Sequence, residues 1–393
     1  MRLCQLVIAV GSHTQTFGIP GVQEHAYFLK ETRDAIKIRR RILRCFEEAS
    51  LPSTSEARRE QLLHFCVVGG GPTGVEFSAE LHDLIHDDIS KKYPALLTNV
   101  RITLYDVAPR ILSMFDSALA QYATEHFARQ HIEVRTRRTV TRVDDGVLHV
   151  KEEGEVPFGM LVWSTGVEMT PLIKSLRDVK KDPKGGRLVT DGWLRVIQDA
   201  PTEEGKPPKL VKDVYALGDC AVIEGMELPL TAQVASQKGV WMRKWFESLA
   251  RKGLDRPAPA DHYTNERATP DEVKKEEKVI VAPEDPEAAA GAPFKFRNYG
   301  VLAYLGEWKA IGQGQGRWEL KGYARSLFSE SIGDHLIASQ VVGLDPLANR
   351  VPHHDDLVEE QTPDPIIMVS MNRPLTFSSL TPLPQGHKLH FWA

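Results

Sequence analysis

Gly69, Gly70, Gly71, Pro72, Thr73 and Gly74 stand between the apolar run HFCVV and the segment PTGVEFSAELHDLI, and they match G-x-G-x-x-G. Glycines at these places serve three purposes. Gly69 allows a tight turn, Gly71 lets the backbone approach a pyrophosphate, and Gly74 lets a helix pack closely on a strand. A helix beginning there offers unpaired N–H groups and a partial positive charge to phosphates. The chemistry indicated is dinucleotide binding, with a Gly-rich structural turn as the alternative. Asp106 ends a second apolar strand, RITLYDVA at 101–108. A carboxylate there accepts hydrogen bonds from ribose hydroxyls and repels a 2′-phosphate, which prefers NADH to NADPH. Arg110 nearby leaves NADPH open, and an ordinary turn residue is the alternative for Asp106. It stands 37 positions after Gly69, beyond the usual ~20. The excess, HDLIHDDISKKYPALLTN, reads as an extension of the first helix.

A second candidate lies at Gly218-Asp219, where the strand DVYALGDCAVI ends ahead of a helix beginning near Thr231. A buried strand ending in Gly-Asp before a small residue recurs in flavoproteins with two nucleotide domains; a strand-to-loop turn with an exposed Asp is the alternative. Other groupings carry less. His82 and His86 have the i, i+4 spacing of a metal pair, but HDLIH lacks the Glu of H-E-x-x-H, so they read as surface histidines. His353-His354-Asp355-Asp356 falls in an irregular polar segment. Cys4, Cys45, Cys66 and Cys220 are scattered, which argues against a zinc site, a disulfide framework and a dithiol centre. No nucleophile–base arrangement stands out.

The elements that position these residues follow from periodicity. LCQLVIAV at 3–10 reads as a buried strand stopping at Gly11, and 31–49 as an amphipathic helix with Ile36, Ile38, Ile42, Leu43 and Phe46 at helical spacing. Its basic run, Lys37 to Arg41, reads as a solvated face. Strand, helix, strand, helix, then the paired pattern of IEVRTRRTVTRVDDGVLHV around Asp144-Asp145-Gly146 and the strand MLVWSTG at 160–166, form a parallel doubly wound unit over 63–166. LTAQVASQKGVWMRKWFESLARK is a helix, and KFRNYGVLAYLGEWKAIG two strands at a turn. Residues 253–293, rich in Pro, Ala, Glu and Lys, read as a disordered insertion. The 393 residues suit two or three domains, and a net charge of −4 implies no nucleic-acid surface. No run approaches the ~18 apolar residues of a membrane-spanning helix, and no targeting peptide stands at the N-terminus.

Together LVIAVGSHTQTFGIPGVQEHAYFLKETRDAIKIRRRILRCFEEASLP, VVGGGPTGVEFSAEL, VYALGDCAV, LPLTAQVASQKG and FRNYGVLAYLGEWKAI resemble the type II (alternative) NADH:ubiquinone oxidoreductases, of the fungal mitochondrial kind. The likeness runs from about residue 3 to 328, interrupted at 253–293. It implies an α/β fold with two dinucleotide-binding domains, similar to the disulfide reductases, in which an FAD domain is split around an inserted NADH domain. It implies hydride transfer from NADH to FAD and two electrons passed to ubiquinone without proton pumping. By motif, Gly69, Gly71 and Gly74 bind the NADH pyrophosphate, Asp106 its ribose, and Gly166 flanks the cofactor. Gly11 borders FAD, Gly218-Asp219 holds its ribityl chain, and Ala232 sits by the isoalloxazine and quinone pocket. Glu76, near the nicotinamide, and Gln233 are the catalytic candidates. Ubiquinone, peripheral contact with the mitochondrial inner membrane and a possible homodimer complete the implied partners, with no metal and no nucleic acid.

The implied plan is 1–62, first segment of a partial FAD-binding domain; 63–166, the complete NADH-binding Rossmann-like domain; 167–252, second FAD segment; 253–293, charged insertion; 294–328, C-terminal family segment; and 329–393, a divergent tail. The family's first G-x-G-x-x-G precedes the strand LVIAVG, so the chain is expected to lack it and to be truncated at the N-terminus. ESIGDHLIASQVVGLDPLANRVPHHDD stands where an amphipathic C-terminal helix is expected. Weak FAD retention follows as an expectation. The alternatives are a catalytically silent NADH-binding module, or a related FAD/NAD(P)H reductase with another acceptor. The missing cysteine pair argues against a disulfide acceptor, and TAQVASQKG supports quinone.

Overall fold

Strands that are apolar without interruption belong in the middle of parallel sheets, buried on both faces, and two such runs organise the chain. The computed structural model describes residues 5–200, 208–251, 292–314 and 319–323. The tail at 329–393, most of the 253–293 insertion and the His353–Asp356 cluster lie outside the described residues. In chain order the first strands are β1 (Leu6–Ile8), β2 (Ser12–Thr14), β3 (Tyr27–Phe28), β4 (His64–Val68), β5 (Arg101–Tyr105) and β6 (Ile132–Arg135). Next come β7 (Val140–Asp144), β8 (Val147–Val150), β9 (Gly154–Pro157), β10 (Met160–Trp163), β11 (Val167–Met169) and β12 (Leu188–Thr190). The last are β13 (Arg195–Ile197), β14 (Leu210–Ala216), β15 (Ala221–Ile223), β16 (Val301–Gly306), β17 (Lys309–Gln313) and β18 (Glu319–Tyr323). The helices are α1 (Val22–His25), α2 (Thr32–Ser50), α3 (Glu56–Leu62), α4 (Pro72–Asp83), α5 (Ser117–Arg129), α6 (Pro171–Ser175) and α7 (Ala232–Arg251).

The first sheet has the order β3-β10-β4-β5-β6 and is parallel throughout. β4 and β10 are buried at every position. One face of this sheet, through Phe65, Val67, Ile102, Leu104 and Val162, packs against α2, α4, α5 and β16. The other, through Cys66, Val68, Leu161 and Trp163, packs against the antiparallel meander β7-β8-β9. The sheet reaches outside the 63–166 span, because Tyr27–Phe28 pairs in parallel with Val162–Trp163. α2 buries Ile38, Ile42, Cys45 and Phe46 on the same sheet, and each large side chain so buried contributes roughly 1.5–3 kcal/mol. A capping box fixes where α2 starts, with Glu31 and Asp34 each accepting the other's end of the first turn.

The second sheet has the order β1-β14-β13-β12-β15, with β1 parallel to β14. It joins residues more than 200 positions apart in sequence. α7 covers it through Met242, Trp245 and Leu249 against Leu194 and Tyr215. The two sheets are linked by the antiparallel pair β2–β11, in which Ser12 faces Met169 and Thr14 faces Val167. A third antiparallel sheet, β16-β17-β18, lies on α4 and α5.

Two sequence expectations change in detail. The 37-position gap is filled by helical turns, but not by one extended helix. α4 stops at Asp83, and a π-helical turn (Leu84–Asp88) and two 3-10 turns (Ile89–Lys91, Pro94–Asn99) follow. Pro94, without an N–H, cannot continue a regular helix. The second strand ends at Tyr105 and does not run to Ala108, because the Asp106 carboxylate turns back to accept the Ala108 N–H at 2.6 Å.

Candidate functional site

At the carboxyl end of β4 the glycine loop divides its tasks as the spacing requires. Gly69 has φ +118°, and a Cβ on it would lie 2.8 Å from the Ser164 carbonyl oxygen. A Cβ on Gly74 would lie 1.9 Å from the Gly69 carbonyl oxygen, so helix and loop touch only because it is absent. Gly71 is the opposite case. Its φ is −74°, and nothing lies within 4 Å of where its Cβ would stand. That is the open backbone approach a pyrophosphate needs at the start of α4. Gly70, filler in the motif, is constrained as well: a Cβ there would sit 2.8 Å from Ile111 and 2.9 Å from Asp106. The Asp106 carboxylate accepts the Gly70 N–H. Asp106 therefore stands against the loop, with acceptor capacity left for hydroxyls. Gly166, at φ +79°, passes so close to Phe17 that a Cβ would meet its ring at 2.7 Å.

The second group assembles at the carboxyl ends of β1 and β14. Gly11 (φ +64°) and Gly218 (φ +79°) both have open space where a side chain would point. Between them one Asp219 oxygen accepts from Ser12 Oγ and from Lys30 Nζ, each at 3.0 Å. Lys30 is held there because Asp34 accepts both its N–H and that of Glu31, at 3.0 Å each. Ala232 begins α7, which packs on the Gly218–Cys220 turn. Further along α7, Lys238 is buried and lines the same cleft as Gly218 and Asp219, its ammonium pushed down to about 8 by burial. Ser12, Lys30 and Lys238 had no sequence signal as site residues. The roles of Ser12 and Lys30 arise only when segments 207 and 189 positions apart meet, and that of Lys238 when α7 packs on the Gly218–Cys220 turn.

The two catalytic candidates bind one continuous segment, β16 and the residues just before it. Gln233 binds the chain just before β16, its amide donating to the Gly300 carbonyl and accepting the Tyr299 N–H, both at 3.3 Å. Glu76, on α4, accepts the Tyr304 N–H at 3.3 Å. Burial pushes the Glu76 carboxyl up to about 7, opposed by that single donor and assisted by the nearby Glu80. A carboxyl poised there can exchange a proton at physiological pH. Among the described residues no hydrogen bond joins Asp106 to Asp219. The two groups are connected by the β2–β11 pair and by the segment that Gln233 and Glu76 both bind.

His82 corrects an expectation. It is buried, 7% exposed, with its ring stacked 4.1 Å from that of His86 and its Nδ1 3.3 Å from Asp83. It lies on α4, which β16 covers, and is not a surface residue; among the described residues no cluster suits a metal. Cys45, Cys66 and Cys220 are buried thiols. Burial raises all three, Cys45 to about 11, which leaves them poor nucleophiles.

Residues 2–239 match the family described as pyridine nucleotide-disulphide oxidoreductase. The chain belongs to that family. Among curated proteins it is 46% identical over 224 residues to the external alternative NAD(P)H-ubiquinone oxidoreductase B2, mitochondrial, of Arabidopsis thaliana, covering 56% of this chain and 36% of that protein. It is 41% identical over 260 residues to a probable NADH dehydrogenase of Dictyostelium discoideum, covering 66% and 54%. A probable mitochondrial NADH-ubiquinone oxidoreductase of Schizosaccharomyces pombe is 36% identical over 323 residues, covering 80% and 55%. The chain thus spans about a third to a half of the length of these curated relatives. Its fold is that of NDH2 from Plasmodium falciparum, solved in complex with NADH, at a TM-score of 0.58 and 24% identity over 82% of this chain and 71% of that one.

Proposed function

We propose that this chain carries the site of a non-proton-pumping NADH:ubiquinone oxidoreductase, in which NADH reduces FAD and FAD reduces quinone. The observation that carries the reading is a shared segment: Glu76 of the first dinucleotide unit and Gln233 at the start of α7 both hydrogen-bond residues 299–304. The nicotinamide-side and flavin-side groups are thereby tied to one element. Gly69, Gly71 and Gly74 hold the NADH pyrophosphate and Asp106 its ribose, with Gly166 beside them. Gly11, Gly218, Asp219 and Ala232 hold FAD, and the open volumes at Gly11 and Gly218 fit a ligand there. FAD, when bound, supplies acceptance of a hydride and release of two electrons. Net turnover converts NADH, one proton and quinone to NAD⁺ and quinol. Glu76, with a carboxyl near 7, holds and releases that proton. Gln233 keeps the strand and the start of α7 in register, and Ala232 leaves room for a planar ring beside it.

Relatives named as mitochondrial ubiquinone oxidoreductases support quinone as acceptor and the mitochondrial inner membrane periphery as location. Among the described residues no helix is long and apolar enough to cross a membrane, and surface contact with the bilayer, where quinone dissolves, belongs to the proposal. Self-association as a homodimer belongs to it as well, and light scattering reads it. The deciding experiment is NADH oxidation by the full chain with added FAD and a short-chain quinone. Quinone-dependent oxidation lost in Glu76→Gln supports the reading. An NADH fluorescence change with no quinone reduction reduces the chain to a binding module.

A further inference from the structure

We propose that Asp83 is a positioning residue for Glu76, acting through Tyr304 and the turn between β16 and β17. The inference rests on the reading of Glu76 as the proton-exchanging group. Glu76 and Asp83 are seven residues apart on α4, two turns along one helix face. Both grip the same strand. Tyr304 donates its N–H to Glu76 at 3.3 Å and its hydroxyl to Asp83 at 2.6 Å. Asp83 also accepts the Glu307 N–H, at 3.2 and 3.1 Å to its two oxygens. Tyr304 Oη in turn accepts the Trp308 N–H at 3.3 Å.

The turn that Asp83 holds is an unfavourable one. Glu307 (φ +50°) and Trp308 (φ +61°) are the two central residues of a hairpin, and both sit in the left-handed region. That geometry is the type I′ turn, whose usual residues are Asn-Gly. A non-glycine side chain there is strained, and surrounding contacts must fix it. The Asp83 carboxylate and the Tyr304 hydroxyl are those contacts. Burial also draws a consequence at the other end of the strand, because the Tyr304 N–H is the one donor that opposes desolvation of Glu76. If the turn relaxes, Tyr304 moves and Glu76 loses that donor. The titratable groups around this unit are Glu80 and His82 on α4, Glu307 and Lys309 on the hairpin, and His126 of α5 behind the turn.

The test uses the full chain and needs neither flavin nor turnover. Urea-unfolding midpoints are measured across pH 4 to 8 for the chain and Glu76→Gln, and again with Asp83→Asn or Tyr304→Phe in both. In each background the difference between the forms with and without Glu76 isolates the titration of that carboxyl. Asp83→Asn is expected to move the midpoint of that titration upward, with proton affinity rising about three- to ten-fold, and Tyr304→Phe to move it the same way by less. Equal midpoints in all backgrounds, with only a uniform loss of stability, overturn the proposal and leave Asp83 a structural clamp. A difference that is flat with pH in the unaltered background overturns it differently, by removing the titrating Glu76 on which it rests. If Asp83→Asn does not fold, Tyr304→Phe carries the same decision alone.

Discussion

Replacing Glu76 with Gln should make the protein more stable at pH 8 and leave it unchanged near pH 4.5. Glu76 titrates at about 7 in the folded chain against 4.5 for an unperturbed glutamate, chiefly because it is buried. Between those values the native state keeps a proton that the unfolded chain has released, so native stability falls as pH rises. Below 4.5 both states are protonated and the cost vanishes; above 7 it is complete. The difference corresponds to about 3 kcal/mol at 1.36 kcal/mol per pKa unit. Glu76 keeps some solvent contact, which trims the figure to about 2 kcal/mol. Gln keeps the shape and an oxygen for the Tyr304 N–H, so the substitution removes the charge and little else. Urea unfolding of both forms at pH 4.5, 6, 7 and 8 reads the effect. Curves that stay parallel, or a Gln form that loses stability at pH 8, would refute the claim that Glu76 is held against its ordinary ionisation. The same substitution should abolish quinone-dependent NADH oxidation, so stability is gained where activity is lost.

The glycine loop offers a paired prediction. Gly71→Ala, with open space around its Cβ, should leave thermal stability within about 0.5 kcal/mol yet weaken NADH binding at least about tenfold, read by nicotinamide fluorescence. Gly74→Ala, whose Cβ meets the Gly69 oxygen at 1.9 Å, should destabilise by roughly 1–3 kcal/mol as well as abolish binding. Asp219→Asn should cost at most about 1 kcal/mol, since the Lys30 partner is 42% exposed, while lowering flavin retained after reconstitution, measured by its absorbance per chain. Gln233→Ala should raise the apparent KM for quinone more than that for NADH, because it frees the 299–300 segment and leaves the glycine loop intact.

Legibility from sequence followed the range of the interactions. The G-x-G-x-x-G loop is legible because its logic is local: a strand, three small residues and a helix within ten positions. α2 is legible for the same reason, through its apolar stripe. Tyr27–Phe28 is not, since a two-residue strand has no period, and only pairing with Val162–Trp163 gives it a sheet. Lys30 reads as one more basic residue before a basic helix until Asp219, 189 positions away, supplies its partner. His82 reads as exposed because helical spacing alone does not reveal that a later hairpin covers α4. The Asp219 motif is intermediate, since Gly-Asp at a strand end is visible while Ser12 and Lys30 around it are not.

The segment 297–307, which holds β16 and the start of its turn, ties together residues far apart in sequence. Gln237 donates to the Arg297 carbonyl at 2.8 Å and accepts its N–H at 2.9 Å, and Gln233, one helical turn earlier, treats Tyr299 and Gly300 alike. Two glutamine amides on α7 thus reproduce the donor–acceptor alternation of a neighbouring strand. On its far side the same segment is held by carboxylates, Glu76 at Tyr304 and Asp83 at Tyr304 and Glu307. Amides bind it at fixed strength across pH, whereas the Glu76 contact strengthens as the carboxyl loses its proton. Proton transfer at Glu76 therefore changes how firmly the first dinucleotide unit holds the strand while the α7 side stays unchanged. In the proposed reaction, protonation and the alignment of the two cofactor sites are linked through that one asymmetry. A Glu76→Gln/Gln233→Ala double variant checks this. In amide hydrogen exchange, β16 protection should fall where Gln233 is replaced, and its pH dependence should vanish only where Glu76 is replaced.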